Sequence, residues 1–137
     1  MSVGLVSSTS PDYPGVLATA INQLGAAAAP VSLAGATDAV LFPNADNLVQ
    51  ITATSVDAAT LATPAAADLG KTLTVVGLTA HAHTVTAASG KIIDGTGTPK
   101  TTATFAAHAG VVILLQAVYD GTNYFWQLLS QQGVTLT

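Results

Sequence analysis

One stretch of this chain decides its fold class: VVILLQAVYDGTNYFWQLL, residues 111–129. Residues 111–118 are apolar apart from Gln116, which is typical of a central strand buried on both faces rather than of an edge strand. Asp120-Gly121 follows, and this dipeptide supplies the positive φ angles that a tight hairpin turn needs. The stretch therefore predicts a β-hairpin at the centre of the fold.

The returning strand of this hairpin, residues 123–129, is also apolar on both faces. With a period of two, one face carries Tyr124, Trp126 and Leu128, and the other carries Phe125, Gln127 and Leu129. We expect the core to contain Val112, Leu114, Tyr124, Trp126 and Leu128. A sandwich buries one face of each sheet, so the second face needs an extra layer or a neighbouring subunit.

The period of two extends outward from the hairpin over residues 31–137. Further strands are predicted near residues 38–42, 48–54, 58–62, 71–77, 82–87, 91–94, 101–107 and 133–136. Many short strands with regular turns are typical of a sandwich, a jelly roll or a barrel. We predict an all-β domain over residues 31–137, a jelly-roll-like antiparallel sandwich.

Residues 1–30 have a different pattern and are predicted to form an arm and an amphipathic helix. Pro14 suits a first helical turn, and Pro30 ends the pattern. Between these prolines, apolar residues recur at spacings of three and four, which places them on one stripe: Val16, Leu17, Ala20, Ile21, Leu24 and Ala28. The larger members of this stripe are our interface candidates: Val16, Leu17, Ile21 and Leu24.

The chain is unusually poor in charge. Only 7% of its residues are charged, with three Lys, no Arg, seven Asp and no Glu, whereas an ordinary domain has about a quarter. Such a surface risks association, so we expect partners to cover much of it. Three Lys in an acidic chain cannot neutralise a nucleic-acid backbone, and no apolar run reaches the ~20 residues of a membrane span. The absence of cysteine excludes disulfides.

Three histidines are the strongest candidates for chemistry. His81 and His83 share one face if the period is two, and His108 lies in a separate segment. Together they suit zinc, but no carboxylate lies near them in sequence to orient the ligands. We therefore expect no metal and no cofactor, and histidines that form hydrogen bonds in a polar strand or an interface.

No enzyme is predicted, and no catalytic residue is assigned. The chain has no Glu, Arg or Cys, and no G-x-S-x-G nucleophile elbow. The segment from Lys91 to Lys100 contains Asp94 and glycines, yet it lacks the repeated acidic ligands of a calcium loop and the Gly-Lys-Thr ending of a phosphate loop. We interpret it as a turn-rich loop.

Thr-x-Thr pairs recur along the chain, at residues 52/54, 72/74, 84/86, 102/104 and 135/137. Regular arrays of such pairs need a fixed repeat, and these spacings are unequal. We therefore expect solvated strand faces and no regular array.

Three aromatic residues leave a second function open. Trp126 with Tyr119 and Tyr124 could form a platform on which a sugar ring stacks, with Asn123 and Gln127 close by in sequence. Aromatic residues inside the most apolar hairpin belong more often to the core. A carbohydrate-binding, receptor-binding module of a phage fibre or tail is therefore the alternative prediction.

The second half of the chain resembles small jelly-roll-like virion proteins of tailed phages, namely capsid decoration (cement) proteins and related head-fibre modules. The similarity covers about residues 55–137 and rests on five phrases: Leu61-Ala62-Thr63-Pro64-Ala65-Ala66, Ala82-His83-Thr84-Val85-Thr86, Thr104-Phe105 before Gly110, Tyr119-Asp120-Gly121-Thr122 followed by Trp126, and Gly133-Val134-Thr135-Leu136-Thr137.

This resemblance implies a structural role on the virion. Proteins of that family bind the outside of an assembled shell, usually as homotrimers, and stabilise it. For this chain it implies the major capsid protein as partner, synthesis in the host cytoplasm and a final place on the capsid exterior. Residues 1–30 are then expected to reach a neighbour, while the sheet domain forms the trimer.

Overall fold

The structure is a computed structural model that describes residues 31–34, 37–41 and 47–137; the helix predicted within residues 14–28 lies outside them. The strands are β1 Val31–Leu33, β2 Thr37–Leu41, β3 Asn47–Ile51, β4 Ala58–Leu61, β5 Thr72–Gly77, β6 Thr84–Ala87, β7 Ile92–Ile93, β8 Pro99–Lys100, β9 Thr102–Phe105, β10 Val111–Tyr119, β11 Tyr124–Gln132 and β12 Val134–Leu136. The described residues include one 3₁₀ turn, Ala66–Asp68, and no α-helix.

The strands form a sandwich of two sheets. The seven-stranded sheet has the order β1-β3-β5-β10-β11-β7-β8, and the five-stranded sheet has the order β12-β9-β6-β4-β2. The prediction of an all-β sandwich is confirmed. Each of the ten predicted strands has a counterpart, while the short strands β1 and β8 were not predicted.

The prediction that the sandwich is antiparallel is wrong, because the pairing is mixed. From β1 to β6 the chain alternates between the two sheets, so β1, β3 and β5 pair in parallel, and β2, β4 and β6 do the same. Antiparallel pairing dominates only after β6, as in β10–β11 and β9–β12. Turn residues mark where a strand ends but not which sheet receives the next strand, so the sequence pattern does not separate a hairpin from a crossover.

The hairpin of β10 and β11 lies where the sequence places it. β10 is a central strand between β5 and β11, and Gly121 in the connecting turn has a φ of +99°. Its residues alternate: Val111, Ile113, Leu115 and Ala117 are buried, whereas the residues between them are partly exposed. β10 is therefore fully buried on one face only within a single chain.

The core assignment within the hairpin needs one correction. Trp126 is fully buried and Leu128 packs against the core, as predicted. Val112 and Leu114 instead point away from the core and are partly exposed, and Tyr124 is also partly exposed. The prediction that these three belong to the core is wrong. For Val112 and Leu114, a strand that is apolar on both faces gives no sign of which face turns inward, whereas Tyr124 pairs with Tyr119 at the end of the hairpin.

Candidate interaction face

The outer side of the seven-stranded sheet carries a group of apolar residues among hydroxyl and amide side chains, and we call this group the apolar face. Its outward-pointing apolar residues are Leu48 on β3, Val76 on β5, Val112, Leu114 and Val118 on β10, and Phe125 on β11. All six are partly exposed. The strand register makes them neighbours: Val76 lies opposite Val112, and Val118 lies opposite Phe125.

None of the four strands that form the apolar face carries a carboxylate, lysine, arginine or histidine. Residues 47–51, 72–77, 111–119 and 124–132 contain only apolar, hydroxyl and amide side chains, together with a glycine. A β-bulge between Leu114 and Leu115 in the pairing with β11 leaves Leu129 without a register partner, and its side chain is 48% exposed. A cluster of partly exposed apolar residues on strands without charged residues makes this side of the sheet a candidate interface.

The outer side of the five-stranded sheet is chemically different, and we call it the threonine face. It carries Thr60 on β4, Thr84 and Thr86 on β6, Thr102 and Thr104 on β9, and Thr135 on β12. The predicted pairs 84/86 and 102/104 both lie on this face, which is the solvated strand face that the sequence predicts. The register places Thr86 opposite both Thr60 and Thr102, and Thr104 opposite both Thr84 and Thr135.

This threonine array arises from strand register rather than from sequence spacing. Unequal loops precede each strand, but the alternation of buried and exposed residues brings the outward threonines to matching heights. Neighbouring strands of a sheet rotate by about 20–25° relative to each other, so four strands do not present a flat lattice. The array is consistent with the solvated face that the sequence predicts.

Trp126 is not available as a sugar-stacking platform. Its side chain is 0% exposed, and its indole N–H donates a 2.9 Å hydrogen bond to the carbonyl oxygen of Ala62. Tyr119 and Tyr124 stack on each other at the end of the hairpin, with ring centroids 4.6 Å apart. The three predicted aromatics therefore do not form one exposed cluster.

The three histidines differ in burial and in position. His83 is fully buried, with its ring centroid 5.9 Å from that of the partly exposed His81, whereas His108 is exposed and lies apart from this pair in the sequence. Among the residues that the structure describes, no group of three or more His, Cys, Asp or Glu could hold a metal ion.

His83 instead joins three segments of the sandwich by hydrogen bonds. Its Nδ1 accepts the backbone N–H of Asp57 at 3.1 Å, and its Nε2 lies 2.9 Å from the hydroxyl of Thr79. That hydroxyl donates its proton to the carbonyl oxygen of Ala53, so it accepts from Nε2–H, which fixes a neutral tautomer. Desolvation by burial lowers the pKa of His83, the nearby Asp57 charge opposes this shift, and His81 adds to it.

Sequence reasoning missed two features of this sandwich. Asp57 is only 1% exposed, and its Oδ1 has no hydrogen-bond partner in the structure. Its backbone N–H binds His83, which lies 26 positions away in the sequence, and no local pattern indicates that contact. Leu48 and Val76 of the apolar face were not singled out either. The sequence did indicate an apolar outward side at these positions, since each of the two residues lies next to a second apolar residue in its strand.

In the loop between β7 and β9, Asp94 forms hydrogen bonds with residues of the same loop. Asp94 Oδ1 accepts bonds from the Thr96 hydroxyl and from the backbone N–H groups of Thr96 and Thr98. The hydroxyl and then the Thr98 amide are the largest causes that lower the pKa of Asp94. The carboxylate thus stabilises the turn, as expected for a turn-rich loop.

A shallow depression of about 380 Å³ lies between this loop and the turn of the β10–β11 hairpin. It combines the Phe125 side chain with the polar groups of Lys91, Asp120 and Asn123. Lys91 Nζ lies 3.4 Å from the side-chain oxygen of Asn123. Among the described residues, this is one place where an aromatic ring and several polar side chains meet at the surface.

No protein-family model matches the chain, and no curated protein matches it. Within the part of the chain that the structure describes, no helix is long and apolar enough to cross a membrane.

Proposed function

We propose that this protein is a structural component of a phage virion that binds the outside of the assembled capsid and stabilises it. The observation that carries the proposal is the apolar face, because Val112, Leu114 and their neighbours form a partly exposed surface on strands without a charged residue. Such a surface favours a protein that works inside an assembly.

The proposed mechanism is thermodynamic. A homotrimer that binds the assembled lattice of the major capsid protein, but not its free subunits, stabilises the lattice by mass action. Ligand concentrations of about 100 times the dissociation constant contribute about 2.7 kcal/mol per site. The protein needs no active site, no cofactor, no nucleic acid and no membrane for this role.

The phrases that resemble phage decoration proteins occupy structural positions, which is consistent with a structural role. The carbonyl oxygen of Ala62, in the first phrase, accepts the indole N–H of Trp126. The backbone N–H of Phe105, in the third phrase, donates a 2.8 Å bond to the carbonyl oxygen of His83, in the second. The first of these bonds joins the two sheets, and the second extends the pairing of β6 with β9 within the five-stranded sheet.

Sedimentation tests the proposal directly. We expect the purified protein to sediment as a trimer at micromolar concentration, to pellet with shells of its cognate major capsid protein, and to raise their melting temperature. Unassembled capsid subunits are the control and should not bind. A monomer that ignores the shells would refute the proposal.

The second candidate function is carbohydrate binding by a fibre or tail module. The depression beside Phe125 favours it, because a ring face and the polar groups of Lys91, Asp120 and Asn123 are typical of a sugar subsite. Binding to a glycan panel that Asn123→Ala abolishes, without effect on shell binding, would support this function instead.

A further inference from the structure

We propose that the edge of β12 binds an extended segment of the major capsid protein, which adds a sixth strand to the five-stranded sheet. The inference rests on the proposed function and names the contact by which the capsid is bound. β12 lies at the end of its sheet and pairs only with β9 among the described strands. Addition of a strand to such an edge is a general mode of peptide recognition.

The hydrogen bonds to β9 identify the backbone groups of β12 that point outward. Thr137 exchanges two backbone bonds of 2.9 Å with Thr102, so these residues form a hydrogen-bonded pair of an antiparallel ladder. Such pairs alternate along the ladder, so Thr135 belongs to the next one. Val134 and Leu136 lie at the positions between these pairs, and their N–H and C=O groups point away from β9.

The far side of β9 gives an independent check of this direction. Phe105 lies opposite Val134 in the register, yet it donates its backbone N–H to the carbonyl oxygen of His83 at 2.8 Å. That bond points towards β6 and not towards β12. Within the described ranges, Val134 and Leu136 have no backbone hydrogen bond to another residue. A row of such unpaired groups is a template for pairing with another chain.

The edge strand β8 of the other sheet is protected against such pairing, and β12 is not. β8 contains Pro99, which has no N–H, and Lys100, whose charge opposes the approach of an apolar segment. β12 reads VTL and carries neither proline nor charge. Backbone bonds at Gly133 and Thr137 extend its paired length to five residues, or about 17 Å. β12 is therefore the more receptive of these two edges.

A shallow groove of about 450 Å³ lies beside the open edge. It is lined by all of β12, by Leu128 of β11 and by the loop at residues 94–96. Leu128 and Leu136 pack against the core but stay partly exposed. β7 pairs with β11 only at Trp126 and Gln127, so no described strand covers that side of β11 beyond them. The groove thus combines apolar side chains with two open strand edges.

The groove suits one extended segment rather than a second copy of the sandwich. Its volume lies within the range of ordinary ligand sites, about 300–1,000 Å³, which is enough for a few residues of extended chain. A second copy that paired through the same edge would also bring its own β9 and its own loop at residues 94–96 into this space. A single segment adds one strand and nothing more.

The strand geometry specifies the chemistry of the segment. Side chains of an added strand alternate as they do in β12, where Val134 is buried and Thr135 is exposed on the threonine face. Like cross-strand neighbours stabilise a sheet, so we expect apolar residues that alternate with threonine or serine. Lys100 Nζ lies 3.9 Å from Asp94 Oδ2 at the groove, so these two charges already match each other. The segment needs no charge there.

Hydrogen exchange on the full-length protein tests the open edge. In the free protein we expect fast exchange at the amides of Val134 and Leu136, and protection at Thr135 and Thr137, which bond to β9. With an excess of shells of the cognate major capsid protein, exchange at Val134 and Leu136 should slow about tenfold or more. Protection of both amides in the free protein overturns the proposal, because the chain itself or a second copy then occupies the edge.

Two matched variants test the outward N–H. Leu136→Pro and Leu136→Ala both remove the leucine side chain, and only proline removes the N–H. We expect Leu136→Pro to bind shells about tenfold more weakly than Leu136→Ala, with both variants folded by circular dichroism. If Leu136→Pro does not fold, the exchange rates of the unaltered protein decide.

The outcomes separate this inference from the capsid function. Equal shell binding by the two folded variants, or exchange at Val134 and Leu136 that bound shells leave unchanged, refutes strand addition while the capsid function stands. If the unaltered protein binds no shells, the capsid function is refuted, and strand addition by the capsid protein is refuted with it.

Discussion

The two outer faces of the sandwich are built alike and differ in chemistry. On both sheets, buried residues alternate with outward ones, and the register aligns the outward residues across neighbouring strands. On the five-stranded sheet these residues are threonines such as Thr86 and Thr102, while on the seven-stranded sheet they include Val112 and Leu114. Alternation is therefore common to both sheets, and the identity of the outward residues distinguishes the two faces.

The difference also concerns how each face of a chain with so few charges can meet water. Threonine presents a hydroxyl to water and is at the same time a good strand former because it is β-branched. The threonine face therefore needs neither charge nor partner. On the seven-stranded sheet, apolar residues such as Val112 and Leu114 stand among the polar ones, and in our proposal another copy covers them.

The largest loss of stability is expected for a substitution on the inward side of the hairpin. Trp126→Ala should lower the free energy of unfolding by about 3–5 kcal/mol, because it leaves a cavity in the core. It also leaves the carbonyl oxygen of Ala62 without its donor. Urea denaturation, compared with Phe125→Ala on the outward side of the same strand, measures the difference. Equal costs in an isolated sheet domain would contradict the contrast between the two sides.

The next effect concerns the apolar face. Val112→Lys should dissociate the oligomer, because contact would then bury a charge that has no partner. Val112 is already partly buried within one chain, so the lost valine contact adds less than the about 1.5–3 kcal/mol of a fully buried valine. Sedimentation equilibrium measures it, and circular dichroism confirms that the variant remains folded. A Val112→Lys protein that stays a trimer would show that the apolar face is not an interface.

A third prediction concerns pH and the buried histidine. Because the pKa of His83 is lowered in the folded state, the unfolded chain binds more protons than the native one at mildly acidic pH. The free energy of unfolding should therefore fall as pH decreases below about 6.5, the ordinary pKa of histidine, and should keep falling towards the lowered pKa.

Two variants check that His83 causes this slope. His83→Gln should reduce stability at neutral pH and flatten the slope below about pH 6.5, and His108→Gln, at an exposed position, is the control. The pKa values of Asp94 and Asp120 are also lowered in the folded state. Protonation of these two carboxyl groups therefore reduces the free energy of unfolding only below about pH 4, the ordinary range of a carboxyl group. An unchanged slope in His83→Gln would refute the assignment.

Local patterns predicted strand positions well and the arrangement of strands poorly. The hairpin at residues 111–129 was predicted because Asp120-Gly121 and the flanking apolar runs act over a few residues. The parallel pairing of β3 with β5 was not, because it depends on which sheet each crossover reaches. The inward side of β10 was likewise misassigned, since Val112 and Ile113 are equally apolar and only the packed partner sheet decides between them.

The smallest effect is expected on the threonine face. Thr86→Lys is the matched control for Val112→Lys, since both replace an outward residue near the middle of an interior strand. Thr86 has only threonines beside it in the register, Thr60 and Thr102, so a lysine there keeps its ammonium group in water and meets no buried charge. We expect a change of no more than about 0.5 kcal/mol in unfolding free energy and an unchanged sedimentation coefficient. If Thr86→Lys dissociates the oligomer while Val112→Lys does not, the threonine face is the interface, and the assignment of the two faces must be reversed.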